Sequence, residues 1–340
     1  MKRLVLAVAA VAVLAAPAAQ VSAWGSTGHR LVGMAAIRAL PDELPAFLRT
    51  PGAVADIGEL AREPDRWKGA GQPHDRERDT AHFVDMDDAG RVMNASGPAI
   101  DALPRLKSEY DAALIAAGTN VNDAGYLPYA IMDGWQQVVR DFAYIRVLNA
   151  AEARETNPER RAWYRVDRER REALTLRDIG VLAHYVGDAS QPHHTTIHYN
   201  GWDRNTPNPE GFTTSRQTHS DFENAFTSRV ARLDMVEAAM PAFSDRAVDM
   251  NGRIATYLRT TLTQVTPFYR LQKAGAFRDT DARGAEFVTA RLGAGAAELR
   301  DLIVLAWRAS GETTIGWPAI KVAEVEAGTI DPWLSMIGDD

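Results

Sequence analysis

The chain contains no cysteine. That absence excludes disulfides, iron–sulfur clusters, thiolate zinc sites and cysteine nucleophiles. It also lacks an excess of positive charge: 38 Lys and Arg face 45 Asp and Glu, a net charge of −7. This balance speaks against a protein that coats nucleic acid by neutralising phosphates. Beyond its first residues it has no apolar run approaching the roughly 20 residues of a membrane span. Strand-like alternation of useful length and internal repeats are missing as well. What remains is a chain of 340 residues, 46% hydrophobic and 24% charged. That is the profile of a globular protein able to bury a sizeable core.

The first residues read differently from the rest. Lys2 and Arg3 precede an apolar run from Leu4 to about Ala16, and small residues follow to Val21-Ser22-Ala23. This is the pattern of a secretory signal over 1–23, cleaved after Ala23. It predicts an exported protein, periplasmic or extracellular, whose mature chain begins at Trp24. Without disulfides, such a protein is held by core packing or by metal. The remainder, 24–340, reads as one all-α domain. Helical spacing recurs at Leu31, Met34 and Ala35, then at Leu44, Phe47 and Leu48, with Asp42 as a candidate cap for the second segment. Further helices are expected over 101–117, 129–155, 158–189, 219–236, 247–271, 285–309 and 319–327. Two stretches, 69–78 and 199–218, are polar and turn-rich and are expected to be loops.

Histidine placement carries the chemistry. Four of the eight histidines fall between His184 and His198. His184 and Asp188 stand four apart, so a helix projects both from one face. Pro192 disfavours helix at Gln191, so the chain turns there and brings His193 or His194 towards the same cleft from another direction. A second pair, His219 and Glu223, has the same spacing. Imidazole and carboxylate without thiolate suit zinc or a similar first-row ion. Taken alone, each pair reads as a surface ion pair, and His29, His82 and Asp65 have equally ordinary readings.

The order of these pieces resembles that of the zinc-dependent phospholipases C and the single-strand-specific zinc nucleases of the S-one/P-one type. Trp24-Gly25-Ser26-Thr27-Gly28-His29 looks like the nuclease opening W-G-x-x-G-H. Asp65 in Glu63-Pro64-Asp65-Arg66-Trp67 matches the next carboxylate, with Asp56 as the alternative. His82, followed by Phe83 and Asp85, matches H-[FY]-x-D. His184, Asp188, Gln191, Pro192 and His194 match H-x-x-G-D-x-x-Q-P-x-H, and His219 with Glu223 matches the closing pair. The match spans 24–223. It departs from the family in three places. About 101 residues separate His82 from His184, roughly twice the expected length. The closing carboxylate is Glu223, as in the phospholipase branch, rather than aspartate. The nuclease Gly-Gly-Asn element is absent.

The resemblance implies an all-α fold with three zinc ions in a cleft. One ion would take Asp65, His82, His184 and a bridging Asp188. A second would take His194, His219 and Glu223. The third would take the Trp24 amine and carbonyl, His29 and the other oxygen of Asp188. It implies hydrolysis of a phosphodiester, with Asp65 also acting on the attacking water. The substrate would be a phospholipid or a single-stranded nucleic acid or nucleotide, with a lean to phospholipid head groups from Glu223 and the acidic charge. Lys68, beside Arg66, is a candidate phosphate contact. Tyr199, Trp202 and Phe212 are candidate contacts for a base or a lipid. The chain is expected to act as a monomer. The reading from a different class is a non-catalytic zinc-binding protein.

Overall fold

A computed structural model describes residues 24–245 and 249–337. The expected signal segment 1–23 lies outside the described residues. Almost all regular structure is helical. The strands among the described residues are the two-residue pair Thr314–Ile315 and Ile320–Lys321, an antiparallel hairpin that the sequence did not suggest. None of the described helices is long and apolar enough to cross a membrane.

Eight longer helices build the domain: α1 Gly25–Arg38, α2 Pro51–Leu60, α3 Lys107–Ala116, α4 Leu127–Arg154, α5 Pro158–Ser190, α6 Met250–Leu262, α7 Val265–Lys273 and α8 Ala282–Ser310. Their starts follow local chemistry. Thr50 accepts from Ala53 N ahead of α2, and Asn157 accepts from Glu159 N and Arg160 N ahead of α5. Both helices place proline in the first turn, where a missing N–H costs nothing. Asp42 does not cap; its carboxylate pairs with Arg49. The expected helix over 219–236 is broken. Asp221–Phe226 is a π-helical turn, and extended backbone at Ala231 and Arg232 separates Thr227–Val230 from Leu233–Ala238. The expected helix over 247–271 is interrupted between α6 and α7. Within 69–78, His74 begins a short helix, His74–Asp79, rather than lying in a loop.

The antiparallel pair α4–α5, joined by only three residues, makes the most extensive contact in the fold. The residues that lengthen the His82–His184 interval therefore contribute to the core. Tyr110, Leu114, Phe142 and Ile145 are all fully buried in the main cluster. Small residues set the helix spacing. A Cβ on Gly180 would lie 2.4 Å from Leu60 Cβ, and one on Gly295 would lie 3.0 Å from Ser190 Oγ. Close packing of α2 against α5 requires glycine at Gly180, and the contact of α8 with α5 at Gly295 is tight. The amino-terminal half of α5 is solvated and tied by Arg168–Glu172 and Arg168–Glu152 ion pairs. Its carboxyl-terminal half buries Leu182, Ala183, Val186 and Ala189. Arg291 of α8, itself buried, donates from Nε to Ser190 O at 3.0 Å and so complements the carboxyl end of α5.

One buried polar contact in the α4–α5 interface makes stability depend on pH. Asp141 is buried and hydrogen-bonded to Asp178. Burial, reinforced by the Asp178 carboxylate, pushes Asp141 from its ordinary value of 3.8 up to about 7, against the opposing effects of Gln137 and Arg171. The folded chain therefore holds a proton that the unfolded chain releases at lower pH. The stability gained from that proton is complete below about pH 4 and is lost as pH rises through about 7. Asp141→Asn should flatten this dependence and raise the melting temperature at pH 8 by a few degrees. Thermal unfolding of both proteins between pH 5 and 8 measures it.

Candidate metal centre

Five separate segments converge on one buried cluster. The first turn of α1 supplies Trp24 and His29. Trp24 is fully buried; its indole donates to Gly187 O at 2.8 Å and to Ser190 Oγ at 2.9 Å. Its carbonyl accepts from Gly28 N at 3.2 Å. The glycines of this opening have steric reasons. A Cβ on Gly28 would lie 2.7 Å from Trp24 Cβ, and Gly25 has φ +55° with Asn224 Oδ1 at 2.7 Å from its would-be Cβ. Gly187 leaves room for His29, whose Nδ1 would stand 3.1 Å from an added Cβ.

The helical turn Glu63–Arg66 supplies Asp65, and the 3-10 turn Thr80–His82 supplies His82. The end of α5 supplies His184 and Asp188 one turn apart, as their spacing requires. Gln191 is extended, so the chain leaves the helix there and returns through the turn Pro192–Thr195 with His194. His219 precedes the π-helical turn that carries Glu223. The structure thus brings together His29, Asp65, His82, His184, Asp188, His194, His219 and Glu223. Asp56, the alternative to Asp65, lies exposed on α2.

Backbone carbonyls orient the imidazoles. His184 Nδ1 donates to Ala61 O at 2.8 Å, and His194 Nδ1 donates to His82 O at 2.6 Å. In the neutral form of each ring this leaves the Nε2 lone pair facing the cluster, the arrangement of metal-binding histidines. His184 Nε2 stands 2.9 Å from His82 Nδ1 and 3.3 Å from Asp188 Oδ2, while His82 Nδ1 is 3.1 Å from that oxygen. In a second set, Glu223 Oε1 lies 2.7 Å from His219 Nε2 and 3.1 Å from His194 Nε2, and the two nitrogens are 3.1 Å apart. His29 stacks on His184 at 3.8 Å between ring centroids and, with Asp65 and His184, makes a third group whose ligand atoms lie within 4.8 Å of one another.

These separations suit a cation. Ligands about 2.0–2.1 Å from a tetrahedral zinc stand about 3.3 Å from each other. Several ligand atoms of the cluster also make no hydrogen bond within the chain: His29 Nε2, Asp188 Oδ1 and Glu223 Oε2. Each such buried atom costs about 1–3 kcal/mol unless something fills its valence. Burial holds His29, His82 and His219 below the ordinary imidazole value and takes His184 down to about 3. Neutral imidazole is the ligating form. His194 is the exception. Burial would lower it, but the Asp188 and Glu223 carboxylates outweigh that and raise it to about 9.

A cavity of about 700 Å³ opens over the cluster, lined by His82, His194 and His219 on one side. Lys68 and Tyr199 line it too. Lys68 Nζ is 3.1 Å from Asp65 Oδ1 and 3.5 Å from Asp79 Oδ1. Burial would lower its pKa, yet Asp65, Asp79 and Asp188 together raise it. Trp202 does not reach the cavity. It is buried inside the 199–217 loop, stacked 3.7 Å from His198 and packed on Phe212 and Tyr269. Arg66 is turned outward to Glu63 and Glu59. Other walls were unassigned in the sequence: Phe83, Met93, Asp75, Asp79, Asp85, Asn122 and Asp123. Asp85 lay within a quoted motif, but nothing local signals that it is buried with Oδ1 unpartnered.

No protein-family model matches the chain, and no curated protein matches it. The chain is similar to a solved structure of the alpha-toxin of Clostridium perfringens from an avian strain. That likeness has a TM-score of 0.41 and 14% identity, covering 87% of this chain and 68% of the other. A likeness this distant carries no argument about activity.

The steric reading of the opening segment predicts that Gly28→Ala forces Trp24 off its two hydrogen bonds. Overpacking of this kind costs about 1–3 kcal/mol. The expected result is a lower melting temperature in metal-free and zinc-loaded protein alike, and an unchanged melting temperature would contradict the reading.

Proposed function

We propose that this chain is an exported, metal-dependent phosphodiesterase. The carrying observation is that the carbonyl-oriented rings of His184 and His194 turn Nε2 towards the buried carboxylates of Asp188 and Glu223, in a cluster whose His82, His194 and His219 line a cavity. A non-catalytic zinc store has no use for a cavity of this size over its ligands. On this reading 1–23 is the export signal, and His29, Asp65, His82, His184, Asp188, His194, His219 and Glu223 hold up to three zinc ions. Cleavage after Ala23 would add the Trp24 amine beside them. When bound, such ions supply Lewis acidity, polarising a phosphoryl group and making water a nucleophile near neutral pH.

The chain's own residues do the rest. Lys68 offers a half-buried ammonium at the cavity edge to a non-bridging phosphate oxygen. Asp65, held by Lys68 at 3.1 Å, orients the attacking water and accepts its proton. Phe83, Met93 and Tyr199 give the substituent of the phosphate an apolar face.

For the substrate, the cavity favours a small phosphodiester over a long polyanion. Asp75, Asp79 and Asp123 line it against Lys68, and carboxylates repel a run of phosphates. A phospholipid head group fits this balance. A nucleotide is the second reading, on a separate observation: Phe83 and Tyr199 in the cavity wall are aromatic rings on which a base could stack.

Zinc-loaded protein starting at Trp24 should release phosphocholine from phosphatidylcholine faster than it cleaves single-stranded DNA. His184→Ala should lose at least 1,000-fold in turnover, about 4 kcal/mol of transition-state stabilisation. Turnover of DNA alone would select the nucleotide reading. No turnover of any phosphodiester by zinc-loaded protein would leave a zinc-binding protein without catalysis.

A further inference from the structure

Two adjacent histidines follow Pro192, and distance does not choose between them. His193 and His194 are both buried, both line the cavity, and each ring lies 4.9 Å from that of His219. Hydrogen bonds make the choice. His194 spends Nδ1 on the carbonyl of His82 and points Nε2 at His219 and Glu223. His193 meets Gln191 instead, with its Nδ1 at 3.2 Å from Gln191 Nε2.

The orientation of the Gln191 amide is fixed by its partners. Its Oε1 accepts from the backbone N–H of His193 at 2.7 Å, so this end is the oxygen. Its Nε2 donates to Glu223 Oε1 at 2.5 Å, and the carboxylate can only accept. The second amide hydrogen is then left for His193 Nδ1. Having accepted there, the neutral ring carries its own proton on Nε2. A ring in that state has no lone pair left for a cation. The same amide donates to Glu223 Oε1, the oxygen that also faces His194 Nε2 and His219 Nε2, while Oε2 stays unpartnered.

We infer that Gln191 is a positioning residue that keeps His193 out of the His194–His219–Glu223 group and turns Glu223 into it. The group is thereby limited to three protein ligands, which leaves the open position that catalytic sites have and closed structural sites lack. This inference rests on the metal-dependent reading of the site.

The test uses protein labelled with nitrogen-15 at histidine, followed by long-range proton–nitrogen spectra before and after zinc addition. In the wild type, His193 should be neutral with its proton on Nε2, and its nitrogens should not take a metal-induced shift, whereas His194 and His219 should. Gln191→Leu should release His193 to the other tautomer or to the metal. It should also weaken cobalt binding at this group 10- to 100-fold, the usual loss when an outer partner of a ligand is removed, and change the visible cobalt spectrum. A metal-induced shift at His193 in the wild type, or wild-type cobalt affinity and spectrum in Gln191→Leu, overturns the inference and leaves the metal reading standing. Shifts at no histidine in the wild type overturn the metal reading itself. If Gln191→Leu does not fold, the wild-type spectra alone decide between these outcomes.

Discussion

Everything in this fold is arranged around a cost: imidazoles and carboxylates taken out of water and packed against each other. Asp188 is fully buried among His29, His82, His184 and His194, and burial pushes it well above the ordinary carboxyl range. Such a group is tolerated when it is paired, hydrogen-bonded or bound to a cation. Its Oδ1 makes no hydrogen bond within the chain. The surrounding architecture then has a consistent purpose. Trp24 locks the start of α1 onto the end of α5, Arg291 braces that end from α8, and the carbonyls of Ala61 and His82 hold two rings in one tautomer.

The same constraint explains where helical regularity gives way. The chain must leave α5 immediately after Asp188 so that His194 can return to the cluster, and Gln191-Pro192 makes the break. The π-helical turn falls on Glu223 itself, the kind of position where such turns concentrate. The 199–217 loop lacks helix, yet it is not loose. Trp202 stacks on His198 and packs with Phe212 and Tyr269, and the Tyr269 hydroxyl donates to His198 O. Its aromatic content anchors it, while Tyr199 alone reaches the cavity from its beginning.

What the sequence made legible was periodic or punctuated. The long helices α4, α5 and α8 follow from apolar spacing, and the His184–Asp188 and His219–Glu223 pairs follow from four-residue spacing. Their convergence with His29, Asp65 and His82 was legible only through the order of motifs, because separations of 100 residues and more have no local signature. The cavity walls escaped for the same reason. Asp85, Asn122 and Asp123 are ordinary polar residues until the chain between His82 and α4 folds them over the cluster. The carbonyls of Ala61 and His82 escaped because a backbone acceptor leaves no trace in residue identity. Trp202 was misplaced because an aromatic in a loop reads alike whether it faces a ligand or its own loop.

The central claim is that this buried cluster is built around metal. Anomalous diffraction from crystals grown with zinc, collected on both sides of the zinc absorption edge, tests it without reference to substrate. The account predicts strong peaks between His82, His184 and Asp188 and between His194, His219 and Glu223. A zinc-containing crystal with no anomalous peak inside the cluster, or with peaks only at surface carboxylates, would contradict it.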